Sequence, residues 1–140
     1  MGERYLFDAS ALVDLVLGLG PESVDIGAVF GEHVLDLTMY EAGNALRKIR
    51  FAKDALTDEE LDEALDILGR LNREVTFERA TETLLRPTMD MARQTGATFY
   101  DASYITVAEG RGLTLVTEDG PQQDAADKAE VTAVPLAELD

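Results

Sequence analysis

Residues 99–119, F-Y-D-A-S-Y-I-T-V-A-E-G-R-G-L-T-L-V-T-E-D, restrict the fold of this chain more than any other stretch. They read as a helix, a glycine stop, a short apolar strand and an acidic turn. Tyr104, Ile105, Thr106 and Val107 favour strands on propensity alone. Asp101 stands where a cap would open a helix and Gly110 where one would end, so residues 99–108 are predicted helical. Residues 113–116 are apolar and β-branched enough for a buried strand. In an open α/β sheet, strand ends and the starts of the following helices collect on one rim. Asp101 and Asp119, which bracket this stretch, would both lie there.

The rest of the chain alternates in the same way. Residues 4–7 read as a strand that ends in Asp8 and feeds a helix, with Leu12, Leu15, Val16 and Leu19 at helical spacing. Gly18, Gly20 and Pro21 break that helix, and residues 22–30 hold a further short one. Residues 33–37 read as a second strand entering a helix at Thr38, where Thr38 and Glu41 have the spacing of a capping box. Asn44 lies one turn beyond Glu41 on the same face, and Ala42, Leu46 and Ile49 form the apolar stripe. Residues 58–73 give the plainest helix, opened by Thr57 and Glu60 as a capping box, with Leu61, Leu65, Leu68 and Leu71 on one face. Residues 75–77 suggest a brief strand. Residues 81–95 are helical in pattern but contain Pro87, which predicts a kink or two short helices before Gly96. After residues 113–116 come a turn, a short helix and a last strand at residues 131–134, closed by Pro135. The alternation predicts an α/β fold with a mainly parallel central sheet of four or five strands, covered by helices on both sides.

Length and composition narrow the chemistry. A chain of 140 residues suits one domain over residues 1–140, burying about 68–70% of its unfolded surface. There is no signal-peptide pattern and no apolar run near the roughly 18 residues of a membrane span, so a cytoplasmic protein is expected. Cysteine is absent and His33 is the one histidine, which excludes disulfides and thiolate metal sites and leaves oxygen as the ligand for any metal. Twelve basic against 28 acidic residues give a net charge of −16. Such a surface repels nucleic acid at low salt. A local arginine patch or a salty cytoplasm would relieve this, since the screening length falls to about 3 Å at 1 M salt. The acidic, lysine-poor composition is halophile-like. Arg47, Lys48, Arg50 and Lys53 form the one dense basic patch; a solvated helix face explains it, and Arg47 and Arg50 are the candidate RNA contacts.

Asp8, Glu41, Asp101 and Asp119 each follow a strand or open a helix, so a parallel sheet would bring them to one rim. Each also has a local explanation as a helix cap. Carboxylates crowded together raise one another's pKa and destabilise the fold unless a cation relieves them. Mg²⁺ or Mn²⁺ suits oxygen ligands, and such a site can activate water and stabilise the leaving oxygen of a phosphodiester. With 28 acids in 140 residues, chance placement at strand ends is a real competitor.

The strings Y-L-F-D-A-S-A-L-V, T-M-Y-E-A-G-N-A-L, F-Y-D-A-S-Y-I-T-V-A and L-V-T-E-D resemble the four signature regions of PIN-domain ribonucleases, most closely the VapC-type toxins. In order and spacing the resemblance covers nearly the whole chain. It implies a PIN-like three-layer sandwich. It also implies that Asp8, Glu41 and Asp101 match the family's acidic metal ligands and Asp119 the fourth, more variable one. Ser10, Asn44 and Thr117 match the polar residues that orient carboxylates or water. Glu118 beside Asp119 leaves the fourth ligand open, with Asp124 a weaker candidate. The family's members cleave RNA with Mg²⁺ or Mn²⁺, commonly as homodimers, and the toxins are silenced by a cognate antitoxin covering the acidic pocket.

Other readings fit less well. A haloacid-dehalogenase-type phosphotransferase wants an aspartate two residues after Asp8, where Ser10 stands, and a response-regulator receiver wants an acid pair there and a late lysine placed unlike Lys128. A housekeeping nuclease in RNA maturation, or a PIN-like scaffold that binds without cutting, remains the alternative to a toxin.

Overall fold

A computed structural model of the chain describes residues 3–139. Five short strands, β1 (Tyr5–Phe7), β2 (His33–Leu35), β3 (Thr76–Glu78), β4 (Thr114–Val116) and β5 (Ala133–Val134), form one sheet in the order β3-β2-β1-β4-β5. All four pairings are parallel, with Leu6 opposite Leu115 and Phe7 opposite Val116 in the central pair. The helices are α1 (Ala9–Val16), α2 (Asp36–Arg47), α3 (Asp58–Leu71), α4 (Glu82–Thr95), α5 (Phe99–Arg111) and α6 (Gly120–Lys128).

The period of two along each strand builds the three layers. Phe7, Val34 and Val116 point to one face, into a core with α1, α2 and α3. Leu6, Leu35 and Leu115 point to the other, into a core with α4, α5 and α6. Leu6, Phe7, Leu115 and Val116 are wholly buried, and each such side chain contributes roughly 1.5–3 kcal/mol by leaving water. Burial on both faces is why these strands are apolar at successive positions and not at alternate ones. The fold class expected from the alternation of elements is the one observed.

The strand order reverses direction between β1 and β4: the chain moves outward from β1 through β2 to β3, then returns to pair β4 on the other side of β1. The carboxyl ends of β1 and β4 therefore flank the sheet's switch point, where an open α/β sheet leaves a crevice. The N–H of Asp8 donates to the carbonyl of Val116 at 3.0 Å, carrying the ladder to the lip of that crevice.

Several local expectations are corrected. Helix α2 starts at Asp36, two residues before Thr38, so Thr38 and Glu41 are not a capping box; the Thr38 hydroxyl accepts instead from the N–H of Leu35, at 3.0 Å. Helix α5 is capped by Thr98, whose hydroxyl accepts from the N–H of Asp101, and it ends at Gly112, whose φ of 66° few other residues adopt easily, not at Gly110. Helix α4 runs unbroken through Pro87. That proline lies in the second turn on the exposed surface, where it forfeits one helical hydrogen bond without ending the helix. Leu19 lies beyond α1 and Leu65 lies off the buried face of α3, which is Ala64, Leu68 and Leu71; both leucines are exposed. Residues 22–30 contribute only a 3₁₀ turn, at Ile26–Val29.

His33 is held in a structural network. Arginine can only donate, so the 2.8 Å contact from Arg4 fixes Nε2 of His33 as the acceptor and leaves the Nδ1 proton for Glu78, at 2.9 Å. Glu78 also accepts from Arg111 at 2.9 Å. Among the described residues no helix is long and apolar enough to cross a membrane.

Candidate functional site

Four elements deliver the four acids to the switch point. Asp8 follows β1 and is the N-cap of α1, Glu41 lies in the second turn of α2, Asp101 in the first turn of α5, and Asp119 is the N-cap of α6 just past β4. Asp8 and Asp119 do cap their helices, accepting from the N–H of Ala11 at 3.0 Å and of Gln122 at 3.1 Å. Glu41 and Asp101 do not: the expected capping roles fall to Thr38 and Thr98, which frees both carboxylates.

The acids sense one another. Burial pushes the Asp8 carboxyl above the usual carboxylate range against hydrogen bonds from Ser10, Thr117 and Ala11 that lower it, and the charge of Asp119 pushes the same way as burial. Burial raises Glu41 too, with Asp101 and Asp8 adding to it. Burial and then Asp119 raise Asp101. Side chains from four separate elements thus share one electrostatic neighbourhood.

A hydroxyl pair holds the β1 and β4 ends together. The Ser10 hydroxyl donates to Asp8 Oδ1 at 2.6 Å, accepts from the N–H of Glu118 at 2.9 Å and lies 3.3 Å from the Thr117 hydroxyl. Thr117 accepts from the N–H of Asp119 at 3.0 Å. Asn44 is exposed, and its side-chain oxygen accepts from Arg47 at 3.2 Å. Glu118 is turned away, its carboxylate accepting from the N–H of Leu136 at 2.6 Å. Asp124 is exposed in α6. Of the three residues left open by the sequence, Asp119 is the one in electrostatic contact with Asp8 and Asp101.

Two residues escaped sequence reasoning. Tyr104, almost fully buried on α5, donates its phenol proton to Glu41 Oε1 at 2.6 Å and lies 2.8 Å from the Thr38 hydroxyl. Gln122, equally buried on α6, donates its side-chain amide to the Asp101 carbonyl at 3.1 Å while its backbone N–H binds the Asp119 carboxylate. No local period marks either residue, though Tyr104 is one helical turn from Asp101, a spacing that puts both on one face. The basic patch is weaker than its sequence suggests. Arg50 is engaged by Asp54 at 3.2 Å and Asp58 at 2.7 Å, so Arg47 is the less encumbered candidate RNA contact.

The donor set is hard oxygen throughout, which fits a divalent ion such as Mg²⁺ or Mn²⁺. Among the described residues no three acidic or histidine side chains close into a cage that would hold an ion by themselves. A groove of about 510 Å³ lies beside the acids and not between them, lined by α2, α4 and α5 and including Tyr40 and Tyr100, the sequence neighbours of Glu41 and Asp101.

No protein-family model matches the sequence. Relatives of known identity do. The chain is 36% identical over 124 residues to the exonuclease VapC9 of Pyrobaculum aerophilum, covering 85% of this chain and 83% of that one. It is 32% identical over 125 residues to the ribonuclease VapC1 of Mycobacterium tuberculosis, covering 84% and 86%. The crystal structure of PAE2754 from Pyrobaculum aerophilum superposes with a TM-score of 0.69 at 30% identity, over 96% of this chain and 85% of that one. With the four acids at the switch point of a five-stranded parallel sheet and relatives this similar along most of their length, the chain belongs to the VapC-type PIN-domain nucleases.

Proposed function

We propose that this protein is a metal-dependent endoribonuclease that hydrolyses RNA phosphodiester bonds, and that it is the toxin of a type II toxin–antitoxin pair. One observation carries the reading: Asp8, Glu41, Asp101 and Asp119 come from four elements around the carboxyl ends of β1 and β4, and the first three are raised by burial and, to a lesser degree, by an acid from another element. Charge crowding of that kind is tolerable at a site built for a cation. Asp8, Glu41, Asp101 and Asp119 would hold Mg²⁺ or Mn²⁺, with Asp119 preferred over Glu118 and Asp124. When bound, the ion supplies positive charge at the scissile phosphate and lowers the pKa of water. The chain's own part is to hold the carboxylates in place: Ser10 and Thr117 on the Asp8 side and the backbone N–H of Gln122 on Asp119, while the Gln122 side chain ties α6 to the backbone carbonyl of Asp101. Asn44, at the surface beside Arg47, serves better as a polar contact to the RNA backbone than as a carboxylate support.

The chain is a cytoplasmic protein made of one domain, it works as a homodimer, and it is silenced by an antitoxin that brings cationic side chains to the acidic rim. The groove beside the acids supports the dimer. Two copies each carrying −16 repel, and this groove, with exposed Tyr40, Leu85 and Tyr100 along it, is an apolar face on which they could approach. Cleavage is expected to need high salt or bound cations for the same electrostatic reason.

A second reading, exonucleolytic trimming, is favoured by the name of the VapC9 relative. Covalently closed single-stranded RNA separates the two. Purified protein with Mn²⁺ in molar salt is expected to open the circle to a linear product. An intact circle beside a degraded linear control would assign the exonuclease.

A further inference from the structure

We propose that Tyr104, backed by Thr38, is a positioning residue that holds Glu41 with one carboxylate oxygen occupied and the other turned free for a cation. The proposal rests on the assignment of Glu41 as a metal ligand and adds to it the device that aims it.

Three contacts run in line. The N–H of Leu35 donates to Thr38 Oγ1 at 3.0 Å, Thr38 Oγ1 lies 2.8 Å from Tyr104 Oη, and Tyr104 Oη lies 2.6 Å from Glu41 Oε1. Their direction is forced. A backbone N–H can only donate, so Thr38 accepts there and keeps its single proton for Tyr104. A carboxylate can only accept, so the phenol proton goes to Glu41. This order gives each hydroxyl one donated and one accepted bond, which is what hydroxyls buried this deeply require. Among the described residues no hydrogen bond reaches Glu41 Oε2.

The placement is economical in helix geometry. Thr38 and Glu41 are three residues apart on α2, and Asp101 and Tyr104 three apart on α5, so each acid has one member of the pair a turn away. Helix α2 belongs to the layer on one face of the sheet and α5 to the layer on the other. The Thr38–Tyr104–Glu41 line therefore joins the two layers across the rim, and it fixes Glu41 relative to the helix that carries Asp101. A phenol that merely found a partner for its own proton would do neither; Thr38 alone would satisfy it.

The test measures Mn²⁺ affinity by electron paramagnetic resonance and unfolding of the metal-free protein, on wild type, Tyr104→Phe, Glu41→Gln and the double variant. Tyr104→Phe is expected to weaken Mn²⁺ binding about 10-fold or more, the range seen when partners of metal ligands are removed. It should lower kcat and leave the KM for RNA unchanged, and it should add no further loss of Mn²⁺ affinity in the Glu41→Gln background. Wild-type affinity in Tyr104→Phe, or a loss that adds in full to that of Glu41→Gln, would overturn the proposal. A wild type that binds no Mn²⁺ would overturn the ligand assignment beneath it. Should Tyr104→Phe fail to fold, Thr38→Ser keeps the hydroxyl line and Thr38→Val breaks it: weaker Mn²⁺ binding in the valine variant alone supports the device, and equal binding in both refutes it.

Discussion

Asp8 serves two ends that pull against each other. Its Oδ1 caps α1 and takes the Ser10 proton, which favours the charged form, yet burial beside Asp119 disfavours that charge more strongly. Glu41 and Asp101 share the predicament. For an acid whose folded pKa is raised, the folded state binds more protons than the unfolded one between the two values. Stability from these groups is therefore greatest at and below the ordinary carboxylate range and falls as pH rises through the raised folded values. The metal-free protein should accordingly unfold at a higher temperature near pH 5 than near pH 8, and Mn²⁺ should flatten that dependence by relieving the repulsion. Thermal unfolding across this range, with and without Mn²⁺, checks it; a midpoint that rises steadily with pH would mean that the acids are not crowded.

At the level of elements, what sequence revealed and what it hid have separate causes. Strand–helix alternation was legible because burial on both faces makes the strands continuously apolar and because Thr57 with Glu60 is a complete capping box, as observed. Helix starts were misplaced where two good capping residues compete. Thr98 and Asp101 have capping-box spacing, and the threonine takes the cap; Thr38 and Glu41 have the same spacing, yet the helix has already begun at Asp36. In both cases the error hid a carboxylate that is free for other use. The Tyr104–Glu41 bond spans 63 positions and the Gln122–Asp101 bond 21, and no local pattern encodes which side chain turns inward over such distances. Pro87 does not split α4 into two helices, because one lost bond is outweighed by the packing of Thr88, Met91 and Thr95 on its buried face. Restoring the bond with Pro87→Ala should stabilise the protein, by up to about 3 kcal/mol on helix propensity less roughly 0.4–1 kcal/mol of unfolded-state entropy. Denaturant unfolding measures this; a destabilised variant would show that the proline's fixed φ is needed there.

Across the whole molecule, the acidic surface and the acidic site obey one electrostatic logic. A net charge of −16 opposes RNA, other copies of the chain and its own folding, and cations relieve all three. Topology concentrates the effect, since the order β3-β2-β1-β4-β5 puts the ends of β1 and β4 side by side and gathers acids that the sequence scatters from residue 8 to residue 119. The most direct test of this account is Asp8→Asn, which keeps an oxygen for the Ala11 and Ser10 bonds and removes only the charge. Mn²⁺-dependent RNA cleavage and metal-free thermal unfolding are measured on the same preparation. Cleavage should fall by more than the roughly 100-fold typical of outer-shell changes, while the unfolding temperature rises. A variant that still cuts RNA and melts lower than wild type would make Asp8 a helix cap and nothing more.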